Sequence, residues 1–136
     1  MRLFLVLREI NIIMETVEKN LVALKQMSPE DGKELWGQFL LPDEMVFGVY
    51  KGIRDSLVIT DRRLIIIDVQ GLTGKKKEVM FVLFSKVVSF AVETAGTLDF
   101  SAEMKFWLSG IGGIKINFVP NTDIFGIGRF LSRKII

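Results

Sequence analysis

The 136-residue chain contains no cysteine and no histidine. The first absence excludes disulfides, thiolate metal sites and cysteine nucleophiles, and the second removes the commonest general base and transition-metal ligand. Seven serines are left with no imidazole to activate them. No local pairing of carboxylates, or of serine with lysine, offers another hydrolytic route. The expectation is a protein that is not an enzyme and carries no metal or cofactor. Long uncharged apolar runs are also missing. The opening residues Met1 to Met14 include Arg2, Arg8 and Glu9, which leaves only Leu3 to Leu7 uncharged. That run is too short for a signal-peptide core or a membrane span, and nothing later reaches the roughly 18 residues a membrane helix needs. A cytoplasmic protein is expected, with a peripheral place at the inner face of the membrane as the variant of that reading. Met14 offers a second start, which the intact mass of the native protein would decide.

Apolar residues make up 49% of the sequence, and phenylalanine alone occurs eleven times. This is ample material for a packed single-domain core and excludes a disordered chain. Net charge is only +2, too little for a general nucleic-acid binder. Its distribution is uneven. From Glu15 to Glu44 seven acids face three lysines, whereas from Met45 to Val92 eight bases face Asp55, Asp61, Asp68 and Glu78. Solvated faces are the simple reading of that asymmetry.

Two short helices are expected first. Val17, Leu21 and Leu24 share a helical face over Glu15 to Met27, with Glu18, Lys19 and Lys25 turned to solvent. Ser28-Pro29-Glu30-Asp31 reads as a second helix start, Leu35, Trp36 and Phe39 as its apolar face, and Pro42 as its stop. From Glu44 the hydrophobic period becomes two. The pattern predicts strands over 44–51, 55–60, 64–69, 78–83, 87–94, 97–108 and 114–119. In the sixth, Leu98, Phe100, Ala102, Met104, Phe106 and Leu108 alternate with polar residues and Trp107. The third and fourth are apolar on both faces, so either the leading helices or another subunit must cover them. Asp123 then caps a final helix with a stripe of Ile124, Ile127, Leu131 and Ile135. These elements define residues 1–40 as a helical extension and 41–136 as a mainly β domain, a small barrel or sandwich plugged by its C-terminal helix.

Four segments carry a resemblance. Ile59-Thr60-Asp61-Arg62-Arg63-Leu64-Ile65, Gly71-Leu72-Thr73-Gly74-Lys75-Lys76, Val92-Glu93-Thr94-Ala95-Gly96-Thr97 and Lys105-Phe106-Trp107-Leu108-Ser109-Gly110 together resemble the bacterial pleckstrin-homology-like domain family. The resemblance covers roughly Leu41 to Phe130. It implies a seven-stranded antiparallel pleckstrin-homology-type barrel capped by a C-terminal helix, and assembly of copies into a ring. It assigns no ligand. The glycines of the last helix and the long N-terminus depart from the family pattern.

Candidate chemistry is sparse. Gly71-Leu72-Thr73-Gly74-Lys75 lacks the spacing and following helix of a phosphate loop and reads as a glycine-rich hairpin turn. Asp99 and Glu103 with Ser101 between them read as a solvated strand face, and Trp107 as either a contact residue or one packed beneath the last helix. One geometric argument remains. In an antiparallel meander alternate turns share an end, so Lys51 and Arg54 should converge with Lys75, Lys76 and Lys77 into a rim suited to anionic ligands. Arg62 and Arg63 fall at the opposite end as hairpin residues. The sequence reading is thus a binding or scaffold module acting through protein contacts. Its partners are further copies of itself, in which an acidic N-terminal face meets a basic barrel face head to tail, and an unknown protein. The alternative is a peripheral module that reads anionic membrane lipid.

Overall fold

A computed structural model describes residues 17–96, 101–110 and 112–136. The alternating segments after Glu44 form the expected antiparallel meander of β2 (Val46–Lys51), β3 (Asp55–Thr60), β4 (Arg63–Gln70) and β5 (Lys76–Leu83). Gly71 and Gly74, at φ 76° and 67°, turn the chain between β4 and β5 in the left-handed region that glycine enters freely. A second antiparallel set follows, β6 (Val87–Glu93), β7 (Ala102–Leu108) and β8 (Gly112–Phe118). On β7 the inward row Ala102, Met104, Phe106 and Leu108 is buried, as its alternation requires. Leu98, Phe100 and Asp99 of the expected longer strand lie outside the described residues.

The first expected helix is instead an eighth strand, β1 (Val17–Met27). Its N-terminal part pairs in parallel with β8 and its C-terminal part antiparallel with β2. β1 therefore lies mid-sheet, in the order β5-β4-β3-β2-β1-β8-β7-β6, and unites two strand sets into one open half-barrel. The helical spacing of its leucines has a strand explanation. Leu21 pairs with Ile116 and Leu24 with Phe118, so three residues of β1 oppose two of β8. The extra residue is a bulge, with Ala23 at φ 52° donating its N–H to the Oδ1 of Asn117 at 3.1 Å. The bulge turns both leucines inward, three positions apart, which imitates one face of a helix. Gly52 passes beneath it, where a Cβ would sit 2.8 Å from the carbonyl oxygen of Val22.

The second expected helix shrinks to one turn, α1 (Lys33–Trp36), followed by a 3-10 turn at Gly37–Phe39. Its N-cap is Gly32 at φ 72°, not Ser28, whose hydroxyl oxygen accepts from the Glu30 N–H in the preceding turn. Short as it is, this segment covers the outer face of the meander. Trp36 is buried against Val49, Val58, Ile65 and Ile67, and its indole N–H donates to the carbonyl of Asp31 at 2.8 Å. The outer face of β3 and β4 is thus covered within the chain, whereas Phe81 and Leu83 on the outer face of β5 stay exposed. The inner face of the half-barrel holds the main core. Helix α2 (Ile124–Lys134) plugs its open end with Ile124, Ile127 and Leu131 buried and Phe130 stacked on Phe47 at 4.1 Å. Asp123 caps α2 by accepting from the Gly126 N–H at 3.0 Å, and a Cβ on Gly126 would run into that carboxylate, which accounts for glycine there. Among the described residues, no helix is long and apolar enough to cross a membrane.

Candidate binding surfaces

The meander places its charged residues by turn parity. At the end formed by the β2–β3 and β4–β5 turns, Lys51, Arg54 and Lys77 line one cavity of about 150 Å³ with Trp36 and Ile53. Asp31 and Glu34 from the covering segment also face it, and Asp31 approaches the Lys51 Nζ at 3.8 Å. Arg54 ties the two turns together by donating to the carbonyl of Gly71 at 2.8 Å. Lys75 is exposed in the turn, outside the lining of this cavity. Lys76 precedes Lys77 on β5, so strand alternation sends it to the other face. Three of the five expected rim cations are brought together and two are not.

Around the same end, on the inner side, sits a cluster that sequence reading missed. Asp55, Asp68 and Glu78 stand side by side in register on β3, β4 and β5. Lys19 crosses to them from β1, donating to Glu78 at 2.7 Å and to Asp68 at 3.4 Å, with its side chain only 17% exposed. The expectation that Lys19 faces solvent fails because it belonged to the misread helix. Burial opposes charge on this lysine, yet the two carboxylates win and raise its pKa. Burial, the hydrogen bond to Asp68 and the charge of Asp68 together hold the Asp55 carboxyl above its ordinary range. A lysine with three carboxylates leaves this end acidic within and basic without.

At the opposite end Arg63 does more than shape a hairpin. Its Nε and Nη2 donate to the two carboxylate oxygens of Glu44 at 2.9 and 2.8 Å, and Nη2 also reaches the carbonyl of Phe39. The Thr60 hydroxyl and the Leu41 N–H complete the shell around Glu44. Burial works to raise the Glu44 pKa, but these bonds and the guanidinium charge bring it below the ordinary value. Arg62 pairs with Asp43 on the surface. The acidic segment is therefore matched by the protein's own basic strands through Asp31–Lys51, Asp43–Arg62 and Glu44–Arg63. This undercuts the expected head-to-tail charge matching between copies.

Trp107 lies on the outer face of β7 with 48% of its surface exposed, away from α2. Glu103 on the same face meets Lys115 at 3.1 Å. Among the described residues, no group of three or more carboxylates could hold a metal ion.

An open sheet of two strand sets, plugged by a C-terminal helix and bearing charged turn rims, is the architecture of a pleckstrin-homology fold. The chain belongs to the bacterial PH domain family, which matches residues 15–135. A DUF1696 family protein with a pleckstrin-homology domain from Shewanella loihica PV-4 is similar, with a TM-score of 0.74 and 33% identity over 84% of this chain and 98% of that one. A pleckstrin homology domain from Shewanella amazonensis SB2B gives 0.62 and 35% over 81% and 90%. An uncharacterized protein of Bacillus subtilis, YjqA, is 37% identical over 102 residues, 74% of this chain and 82% of its own length. The expected family is thereby shown, with eight strands among the described residues in place of the expected seven.

Proposed function

We propose that this domain is a non-catalytic binding and scaffold module that acts through protein contacts, including assembly of copies into a homo-oligomeric ring. The observation that carries the reading is the terminal strand β5, which among the described residues has no neighbouring strand on its outer side. Monomeric proteins guard such edges with charge. Here Lys76, Lys77 and Glu78 guard only the first half, while Val79–Leu83 is uncharged and Phe81, Leu83 and the neighbouring Phe39 are exposed. A contact from this edge to a different surface on the next copy is heterologous and closes into a ring if the rotation allows. Size-exclusion chromatography with light scattering tests it. A multiple of 15.4 kDa is expected at tens of micromolar, and a strict monomer overturns the proposal.

A second reading is supported by the convergence of Lys51, Arg54 and Lys77 on one cavity, flanked by the exposed Lys75 and Lys76. In it the rim meets anionic lipid head groups at the inner membrane surface, at about 1 kcal/mol per base. Binding to vesicles containing phosphatidylserine then falls steeply with salt, and Lys75→Glu with Lys76→Glu removes it. Equal binding to neutral vesicles discards this reading.

A further inference from the structure

Helix α2 and strand β6 are separated by a groove of about 620 Å³. β6 is the terminal strand of the sheet, so along one side its backbone donors and acceptors face no neighbouring strand among the described residues. Register with Phe106 and Met104 turns Phe90 and Val92 of β6 toward the groove, and α2 contributes Ile124 and Phe125. Phe125 is 62% exposed there. Gly128 borders the groove beside Val92, whose Cγ2 would lie 3.5 Å from a Cβ placed there, an ordinary contact. Along the rim stand Arg129 and Arg133, one turn apart, with no ion pair among the described residues. Arg133 complements the helix C-terminus, but Arg129 is mid-helix, where the dipole gives no reason for it. α2 carries no acid, and the nearby Asp123 is spent on its cap. Glu93, the one acid of β6, approaches Lys105 on β7.

We propose that this groove binds an extended, acidic segment of a protein partner, added to β6 as a further strand. The free edge supplies backbone hydrogen bonds, as in other cases of strand addition. Strand alternation turns every second side chain of the segment toward the groove, and on that one face apolar residues meet the floor while carboxylates meet Arg129 and Arg133 at the rim. Charge also argues against the other free edge of a second copy as occupant. β5 opens with Lys76 and Lys77, which would be brought against two arginines.

The proposal rests on reading the domain as a protein-binding module, and its test is a pair of fluorescein-labelled, end-blocked peptides of seven residues, the length of β6. In both, threonine fills every second position, and the positions between, which share one strand face, alternate valine with glutamate in one peptide and valine with lysine in the other. Anisotropy on the full chain should show the glutamate peptide binding about tenfold or more tightly than its lysine counterpart, with Kd below about 1 mM. Hydrogen exchange should slow in β6 when it binds. Gly128→Leu, which fills the groove, should weaken binding about tenfold, and Arg129→Glu with Arg133→Glu, both at exposed sites, should reverse the preference between the peptides. Equal affinities, no binding by either peptide, protection elsewhere in the fold, or β6 amides already protected in proportion to protein concentration without peptide would each overturn the proposal. Light scattering on the same samples separates the two readings. A monomer that takes the glutamate peptide removes the ring and keeps the groove, and a ring that ignores both peptides does the reverse.

Discussion

At the residue scale, Glu44 shows how one buried charge fixes the cover of the meander to its strands. The carboxylate is fully enclosed, holds Arg63 by two bonds, and receives the Thr60 hydroxyl and the Leu41 N–H. Replacing it by glutamine leaves the guanidinium, largely buried, without its counter-charge, a change that costs about 3 kcal/mol or more. We expect Glu44→Gln to lower the thermal midpoint markedly at pH 7, while Asp43→Asn at the exposed Arg62 pair leaves it nearly unchanged. The pH dependence follows from the lowered carboxyl pKa. Its stabilisation is complete above the unfolded value of 4.5 and is lost as pH falls through the lower folded value. Thermal scans should therefore show parent and variant converging on acidification below about pH 4.5 and fully separated above it. A separation that persists undiminished at acid pH would refute this account.

At the element scale, legibility depended on how local the signal was. The meander could be read because alternation and turn glycines are contained within each hairpin, and the convergence of Lys51, Arg54 and Lys77 followed from turn parity alone. β1 could not be read, because one inserted residue between Leu21 and Leu24 shifts a strand's inward face by the increment a helix would use. Lys19 was lost with it, as its partners lie on strands some fifty residues away. The cover of the outer face rests on Trp36 more than on helix length, and of the longer helix expected there only the single turn α1 forms. α2 was legible in its stripe and cap. Gly126 had the look of a defect until it met the Asp123 carboxylate, whereas a Cβ on Gly128 would make only ordinary contact with Val92. Because Leu131 is completely buried in the main core, Leu131→Ala should cost about 2 to 5 kcal/mol in the absence of any lipid, measured by denaturant unfolding. A helix that served as a free anchor would show no loss.

At the scale of the whole molecule, two sequence reasons for self-association are answered within the chain, one of them in part. Residues 28–40 cover the doubly apolar β4 but not the end of β5, and the acidic segment finds its cations on β2 and β4. What remains is the pair of sheet edges, and they differ in kind. β6 borders a groove with a cationic rim, whereas the second half of β5 presents apolar side chains with no charge to discourage strand-to-strand contact. If copies meet through β5, a charge at its unguarded end should act as the missing gatekeeper. We expect Leu83→Glu, at a site already 47% exposed, to shift the mass measured by light scattering to 15.4 kDa at tens of micromolar. The circular dichroism spectrum should be unchanged, since no core contact is removed. Val88→Glu places the same charge at a 70% exposed position on β6 and should leave the assembly intact. If Val88→Glu dissociates the assembly while Leu83→Glu does not, the contact lies on β6, and both the β5 interface and an accessible groove beside α2 are wrong together.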